Sequence, residues 1–136
     1  ISACLVGSEM CIRDSFTSNG SVATVSVTAN VTVWFQFSGL PRINTTEYQY
    51  VACRVKGSPN ARWLFGLFPE GRKYRWDFPY FMEPSKSWET YVFDISGTPL
   101  KDQLLDRQLV LALKSVDSNP AILYVDFYMI FKYEPV

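Results

Sequence analysis

The sequence predicts an all-β domain built as a sandwich of two antiparallel sheets. Clusters of Gly, Pro, Asn, Asp and Ser recur along the chain at strand-sized intervals, and these residues favour turns. The segments between the clusters are rich in β-branched and aromatic residues. Short strands at this spacing are typical of β-sandwiches and barrels. About eight of them in a chain of this length favour a two-sheet jelly roll.

Eight strands and one short helical turn are predicted in chain order. Alternation is clearest in the second strand, where Val33 and Phe35 alternate with Trp34, which indicates one buried face. Pro99 suits the first position of the helical turn, and Thr98 suits its cap. The predicted strands span 22–28, 31–38, 48–56, 63–68, 74–82, 88–95, 109–113 and 122–131, and the helical turn spans 99–105.

The first fifteen residues are predicted to be foreign to this domain. Residues 5–15 read LVGSEMCIRDS, which resembles a transposase-type sequencing adapter and its mosaic end translated in an open frame. Coincidence is a poor explanation for a match that runs without a gap. We therefore expect residues 1–15 to be a non-native scar that contributes no core strand, and residues 16–136 to form a single β-sandwich domain.

Charge and composition exclude several kinds of function. The chain has 13 Lys and Arg against 13 Asp and Glu, so it lacks the long-range field of a nucleic-acid-binding protein. It contains no His, which excludes a Ser-His-Asp triad, a Cys-His pair and a His-ligated metal site within this chain. We therefore predict no nucleic-acid partner and no enzymatic activity. No apolar stretch reaches the length of a membrane span.

Three short segments carry the pattern of a known family. Residues 87–95 (SWETYVFDI) match a W-x-x-y-x-x-D-l strand, residues 50–56 (YVACRVK) match a central strand that begins with Tyr and ends with Lys, and residues 123–127 (LYVDF) match a closing strand that ends near an Asp. Together they resemble the galactose-binding-like β-sandwiches. This group includes many carbohydrate-binding modules of secreted enzymes that degrade glycans.

The resemblance implies a noncatalytic module that binds a polysaccharide or another glycan. It further implies a larger protein, secreted or at the cell surface, with an attached catalytic domain. The alternative is a structural accessory β-sandwich that packs on a neighbouring catalytic domain without binding sugar. A binding module must leave several aromatic rings accessible, whereas an accessory domain covers them.

The resemblance also bears on cofactors. We predict no cofactor and no metal site, with a structural calcium near Asp126 as the less favoured alternative. In several modules of this group, an aspartate of the last strand helps to bind such a calcium. Calcium needs six or more oxygen ligands, and Asp126 is alternatively a hydrogen-bonded aspartate at a β-bulge.

The segment 72–82 (RKYRWDFPYFM) suggests a binding surface. On one strand a row of large apolar side chains shares one side and Arg75 and Asp77 lie opposite; the row is Tyr74, Trp76, Phe78, Tyr80 and Met82. Aromatic rings stack on sugars while charged and amide groups bond the hydroxyls, although an aromatic row is also the normal inner face of a sandwich. We predict a stacking platform made by Trp63, Tyr74 and Trp76. The predicted ligand-binding residues are Trp63, Tyr74, Trp76, Arg54, Arg75, Asp77 and Tyr50.

Overall fold

A computed structural model describes residues 2–5, 11–13, 17–19, 22–27 and 32–132 of the chain. Within them the backbone forms eleven strands and one 3-10 helix, which spans Ile95–Gly97. No helix in this described part is long and apolar enough to cross a membrane. The strands are β1 (Ser2–Leu5), β2 (Cys11–Arg13), β3 (Thr17–Asn19), β4 (Val22–Val27), β5 (Thr32–Phe37), β6 (Tyr50–Gly57), β7 (Ala61–Pro69), β8 (Trp76–Asp77), β9 (Glu89–Asp94), β10 (Leu105–Ser115) and β11 (Ala121–Phe131).

The eight strands from β4 onward have the connectivity of a jelly roll. The small sheet has four strands in the order β5-β10-β7-β8. In the large sheet β4 lies beside β11, β11 pairs with β6, and β6 pairs with β9. All of these pairs are antiparallel, and consecutive strands change sheet at every step except from β7 to β8. The predicted two-sheet sandwich is therefore confirmed.

The core lies between the two sheets and follows from the period-two alternation of side chains. Leu111 of β10 lies opposite Phe65 of β7, and Leu113 lies opposite Trp63. All four side chains are fully buried. The large sheet contributes Cys53, whose burial raises the pKa of its thiol, so the sulfur stays protonated and unreactive. Its other buried residues include Val25, Val27, Val51, Val55, Leu123, Val125, Tyr128 and Ile130.

The predicted strand over 74–82 is wrong in its extent. Only Trp76–Asp77 is a strand, β8, at one edge of the small sheet. Pro79 has no N–H to donate to a ladder, and the chain turns away there. Phe78 is buried whereas Tyr80 is exposed, so the predicted row of rings on one side of a strand does not form.

The helical turn is also displaced from its predicted position. It spans Ile95–Gly97, and the Asp94 carboxylate accepts the N–H of Ser96 at its start. The hydroxyl of Thr98 does accept the N–H of Leu100, at 3.1 Å. That bond closes a turn and not a helix.

The first residues pair with the sandwich. Strand β1 runs parallel to β11, with Ala3 opposite Tyr128 and Leu5 opposite Ile130, and β2 pairs with β1. The backbone of β1 and β2 therefore joins the large sheet. The expectation that residues 1–15 contribute no core strand concerns the burial of their side chains and stays a prediction. Residues 1, 6–10 and 14–15 lie outside the described part, and the non-native origin of the segment stays a prediction.

A comparison of two tryptophans tests the placement of the core. Trp63→Ala should lower the free energy of unfolding by about 3–5 kcal/mol, because it empties a fully buried site. Trp34→Ala should lower it by less than about 1 kcal/mol, since Trp34 lies on the surface. Urea unfolding of both variants measures the difference, and equal losses would contradict the assignment of inner and outer faces.

Candidate ligand-binding face

The small sheet has an outer face, turned away from the core, with an apolar floor. Alternation puts Leu64 of β7 and Val110 and Ala112 of β10 on this side. These three side chains are nevertheless buried, because Phe68 and Phe81 pack against them. Aromatic side chains therefore shield part of this sheet face from solvent, unlike the solvated outer face of an ordinary sheet.

Phe81 reaches the floor through an unusual backbone conformation. Its φ is 42°, in the left-handed region that a bulky residue rarely adopts. The chain around it stays bonded to β7: Phe78 donates its N–H to the Phe65 carbonyl at 2.7 Å, and Met82 and Trp63 exchange two backbone hydrogen bonds. The residues between these bonds form a short excursion that lays the Phe81 ring over the sheet.

Three rings form a continuous aromatic cluster on this face, made of Trp34, Phe81 and Tyr80. The centroids of Trp34 and Phe81 are 6.2 Å apart at an interplanar angle of 77°, and those of Tyr80 and Phe81 are 5.1 Å apart at 73°. Trp34 is 47% exposed and Tyr80 is 70% exposed. The cluster therefore offers two accessible rings joined by one that is half-buried.

Arg75 crosses the sheet to reach this cluster. It directly precedes β8, at the edge opposite Trp34 on β5, yet its Cζ lies 4.6 Å from the centroid of the Trp34 ring, a cation–π contact. The side chain runs over Gly66, where a Cβ atom would lie only 2.5 Å from Arg75 Cδ. Asp77 fixes the guanidinium with two bonds, of 2.6 Å to Nε and 3.1 Å to Nη2.

Amide and cationic side chains complete the face. Gln36 of β5 donates from its Nε2 to the Oε1 of Gln108 on β10. Lys114 places its Nζ 4.2 Å from the centroid of the Phe81 ring. Rings, amides, a guanidinium and a carboxylate thus share one sheet face, a combination that can stack on sugar C–H groups and bond sugar hydroxyls.

The structure separates three of the residues that were predicted from sequence, Trp63, Arg75 and Asp77. Arg75 and Asp77 belong to the outer face described above. Trp63 is fully buried in the core, so its predicted role as a stacking ring is wrong. Trp63 packs edge-on against Phe65, at 5.8 Å between centroids, and against Tyr91 at 5.6 Å.

Tyr74 and Trp76 are partly exposed, at 37% and 38%, but they do not join Trp63 in a platform. Trp76 pairs with Leu67, whose side chain faces the core, so Trp76 lies on the other side of β8 from Asp77. The Tyr74 hydroxyl donates to the carbonyl of Pro99 at 3.1 Å. It is thereby tied to a turn.

Tyr50 and Arg54 lie on the large sheet, far from this face. Arg54 Nε is 3.3 Å from an oxygen of Asp126, and its Cζ is 5.6 Å from the Trp88 ring centroid. The register of β11 against β6 shifts at Asp126, which fits an aspartate at a β-bulge. No three His, Cys, Asp or Glu side chains of the described residues are grouped so that they could hold a metal ion. The absence of a metal stays a prediction, and a calcium near Asp126 stays its less favoured alternative.

A shallow cleft at one end of the sandwich is a weaker candidate. Its polar groups bond one another: Asn60 Nδ2 donates to Asp117 Oδ1 at 2.9 Å and to two backbone carbonyls. The bond from Asn60 lowers the pKa of Asp117. No aromatic residue lines this cleft, whose lining is Pro59, Asn60, Val116, Asp117, Asn119 and Pro120.

Sequence reasoning missed much of the outer face. The alternation of β5 does indicate that Trp34 and Gln36 point outward, and a large outward ring is a signal for a binding surface. Tyr80 belonged to the predicted aromatic row, but strand alternation does not predict that Phe81 and Tyr80 lie over the small sheet, because the chain departs from strand geometry there and Phe81 has a positive φ. Lys114 gave none either, since a lysine on a strand is usually an ordinary solvated residue.

No family model matches the chain, and no curated protein matches it. Among solved structures, the glycoside hydrolase domain of Endo-D from Streptococcus pneumoniae R6 aligns with a TM-score of 0.49 and 15% identity, over 77% of this chain and only 17% of that one.

Two carbohydrate-binding modules align over most of their length. TmCBM61, solved with β-1,4-galactotriose, has a TM-score of 0.46 and 8% identity over 83% of each chain. The family 11 module from Clostridium thermocellum, solved with a β-1,3-1,4-mixed-linked tetrasaccharide, has a TM-score of 0.43 and 11% identity over 90% of this chain and 96% of that one.

Gly66→Ala tests whether the path of Arg75 depends on the missing side chain. The new Cβ would collide with Arg75 and with Asp77 Oδ1, so we expect the Arg75 Nε–H signal to shift in NMR spectra. We also expect the free energy of unfolding to fall by about 1–3 kcal/mol through overpacking. Gly97→Ala is the control, because a Cβ there meets nothing within 4 Å. If both variants behave alike, the described close approach is wrong.

Proposed function

We propose that this domain is a noncatalytic carbohydrate-binding module of a larger extracellular protein, and that the outer face of the small sheet binds the glycan. The observation that carries the proposal is the aromatic cluster of Trp34, Phe81 and Tyr80 beside the fixed pair Arg75 and Asp77. Two accessible rings lie next to fixed hydrogen-bonding groups on one face. An accessory domain that binds no ligand needs no such arrangement.

The chemistry of this face matches both surfaces of a sugar. A pyranose ring has apolar C–H faces and a polar edge of hydroxyls, so a site needs rings and hydrogen-bonding groups together. Trp34 and Tyr80 supply the rings. Gln36, Gln108 and the Arg75–Asp77 pair supply donors and acceptors at the level of the sheet.

The polar groups are also fixed before a ligand arrives. The two bonds to Asp77 and the contact with Trp34 hold the Arg75 side chain in one conformation. A side chain that is already ordered loses little conformational entropy on binding, which favours affinity. Nη1 of Arg75 makes no hydrogen bond within the described residues and can donate to a ligand.

Several observations support binding without catalysis. Glycoside hydrolysis uses two carboxylates on either side of the scissile bond. On this face both oxygens of Asp77 accept bonds from Arg75, and Glu83 is paired with Arg62 at 3.2 Å.

Affinity gel electrophoresis against a panel of neutral and acidic polysaccharides tests the proposal. We expect at least one polymer to retard the wild-type chain, and Trp34→Ala to weaken that binding by about 1–3 kcal/mol, the contribution of an aromatic anchor. Trp88→Ala is the matched control, because Trp88 directly precedes β9 and its ring lies beside Arg54 of the large sheet. Thermal melts of both variants verify that they are folded.

Two results would contradict the proposal. Equal loss of binding in the Trp34 and Trp88 variants would remove the small sheet as the site. If no polysaccharide retards the folded wild-type chain, the accessory domain that packs on a catalytic neighbour becomes the better interpretation.

A further inference from the structure

One position on the outer face holds two cations side by side. Lys114 of β10 lies directly opposite Arg62 of β7 in the antiparallel register, and both side chains point outward. Like charges that face each other across strands repel and are destabilising. The pair is therefore a feature of the face that the fold itself does not require.

Only one of these two charges is neutralised within the described residues. Arg62 pairs with the exposed carboxylate of Glu83 at 3.2 Å. Lys114 has no carboxylate partner there, and its ammonium group lies instead over the Phe81 ring. The neighbouring Arg75 is neutralised by Asp77. The outer face thus carries one uncompensated positive charge at a defined place.

That place adjoins the aromatic cluster. Trp34 pairs with Ala112, which is two residues from Lys114 on β10 and on the same face. The two positions are thus about 7 Å apart along the strand. A sugar that stacks on Trp34 can therefore place a substituent of its own, or of the next sugar in the chain, beside the ammonium group.

We infer that this face binds an acidic glycan, one whose sugars carry carboxylates as uronic acids do, with Lys114 and Arg62 as the carboxylate subsite. The inference rests on the proposed function and specifies its ligand class. A sugar carboxylate would neutralise Lys114, whose charge has no carboxylate partner within the described residues. Nη1 of Arg62 already donates to the carbonyls of Pro59 and Ala61, and its Nη2 contacts Glu83. Its Nε–H remains to add a directional hydrogen bond to the same carboxylate.

The test compares acidic polymers with their carboxyl-reduced forms. Polygalacturonate, alginate and glucuronoxylan are each assayed beside the same polymer after reduction of its carboxylates to alcohols. We expect the wild-type chain to bind at least one acidic polymer more tightly than its reduced form. Added salt should weaken binding of the acidic form more, because it screens exposed charges.

Lys114→Gln tests whether the preference for acidic polymers comes from Lys114, since the substitution removes the charge and keeps a side chain of similar length. It should weaken binding of the acidic polymer by up to about fivefold, the range of an exposed ion pair, and leave binding of the reduced polymer unchanged. Lys86→Gln is the control. Lys86 is exposed and lies next to Ser85, whose carbonyl bonds Gly57 of the large sheet, so it is not on the outer face.

The possible failures are distinguishable. Equal binding of acidic and reduced polymers would overturn the inference and leave the proposed function intact. Equal losses in the Lys114 and Lys86 variants, or equally tight binding of dextran sulfate, would show general attraction of anions and would also overturn it. If the folded chain binds none of the polymers, acidic, reduced or neutral, the proposed function itself fails.

Discussion

Both faces of the small sheet depend on the pairing of β7 with β10. The register that puts Leu111 opposite Phe65 inside the core also puts Lys114 opposite Arg62 outside. A slip of one residue would move the buried leucines of β10 from the core to the outer face, so the core holds the register strongly. The candidate binding face takes its geometry from this constraint, because its side chains occupy the alternate positions of the same strands.

Side chains can extend across the outer face because the residues at its centre are small. Gly66 has no side chain, and Ala112 contributes only a methyl group. Arg75 can therefore run across the sheet from one edge toward Trp34 at the other, and Phe81 can lie over the floor. Larger residues at these positions would hold both side chains above the sheet, and the rings and the guanidinium could not meet.

Local sequence patterns predicted the sandwich, most of its strands and the outward position of Trp34, since a period of two is visible without knowledge of the fold. The error on Trp63 has a physical reason. In β7, read as ARWLFGLFP, both sets of alternate positions are mostly apolar, because one set faces the core and the other lies under Phe68 and Phe81. A strand that is covered on both faces gives no sign of which ring is buried.

The missed half of the face comes from contacts between distant parts of the chain. The segment after Asp77 keeps its place through backbone bonds of Phe78 and Met82 to β7, and these bonds are independent of the side chains they carry in between. The excursion can therefore present different rings at Tyr80 and Phe81 without loss of its anchors. A segment whose backbone is fixed while its side chains can vary suits a surface that recognises a ligand. Strand alternation in the sequence cannot reveal such a segment.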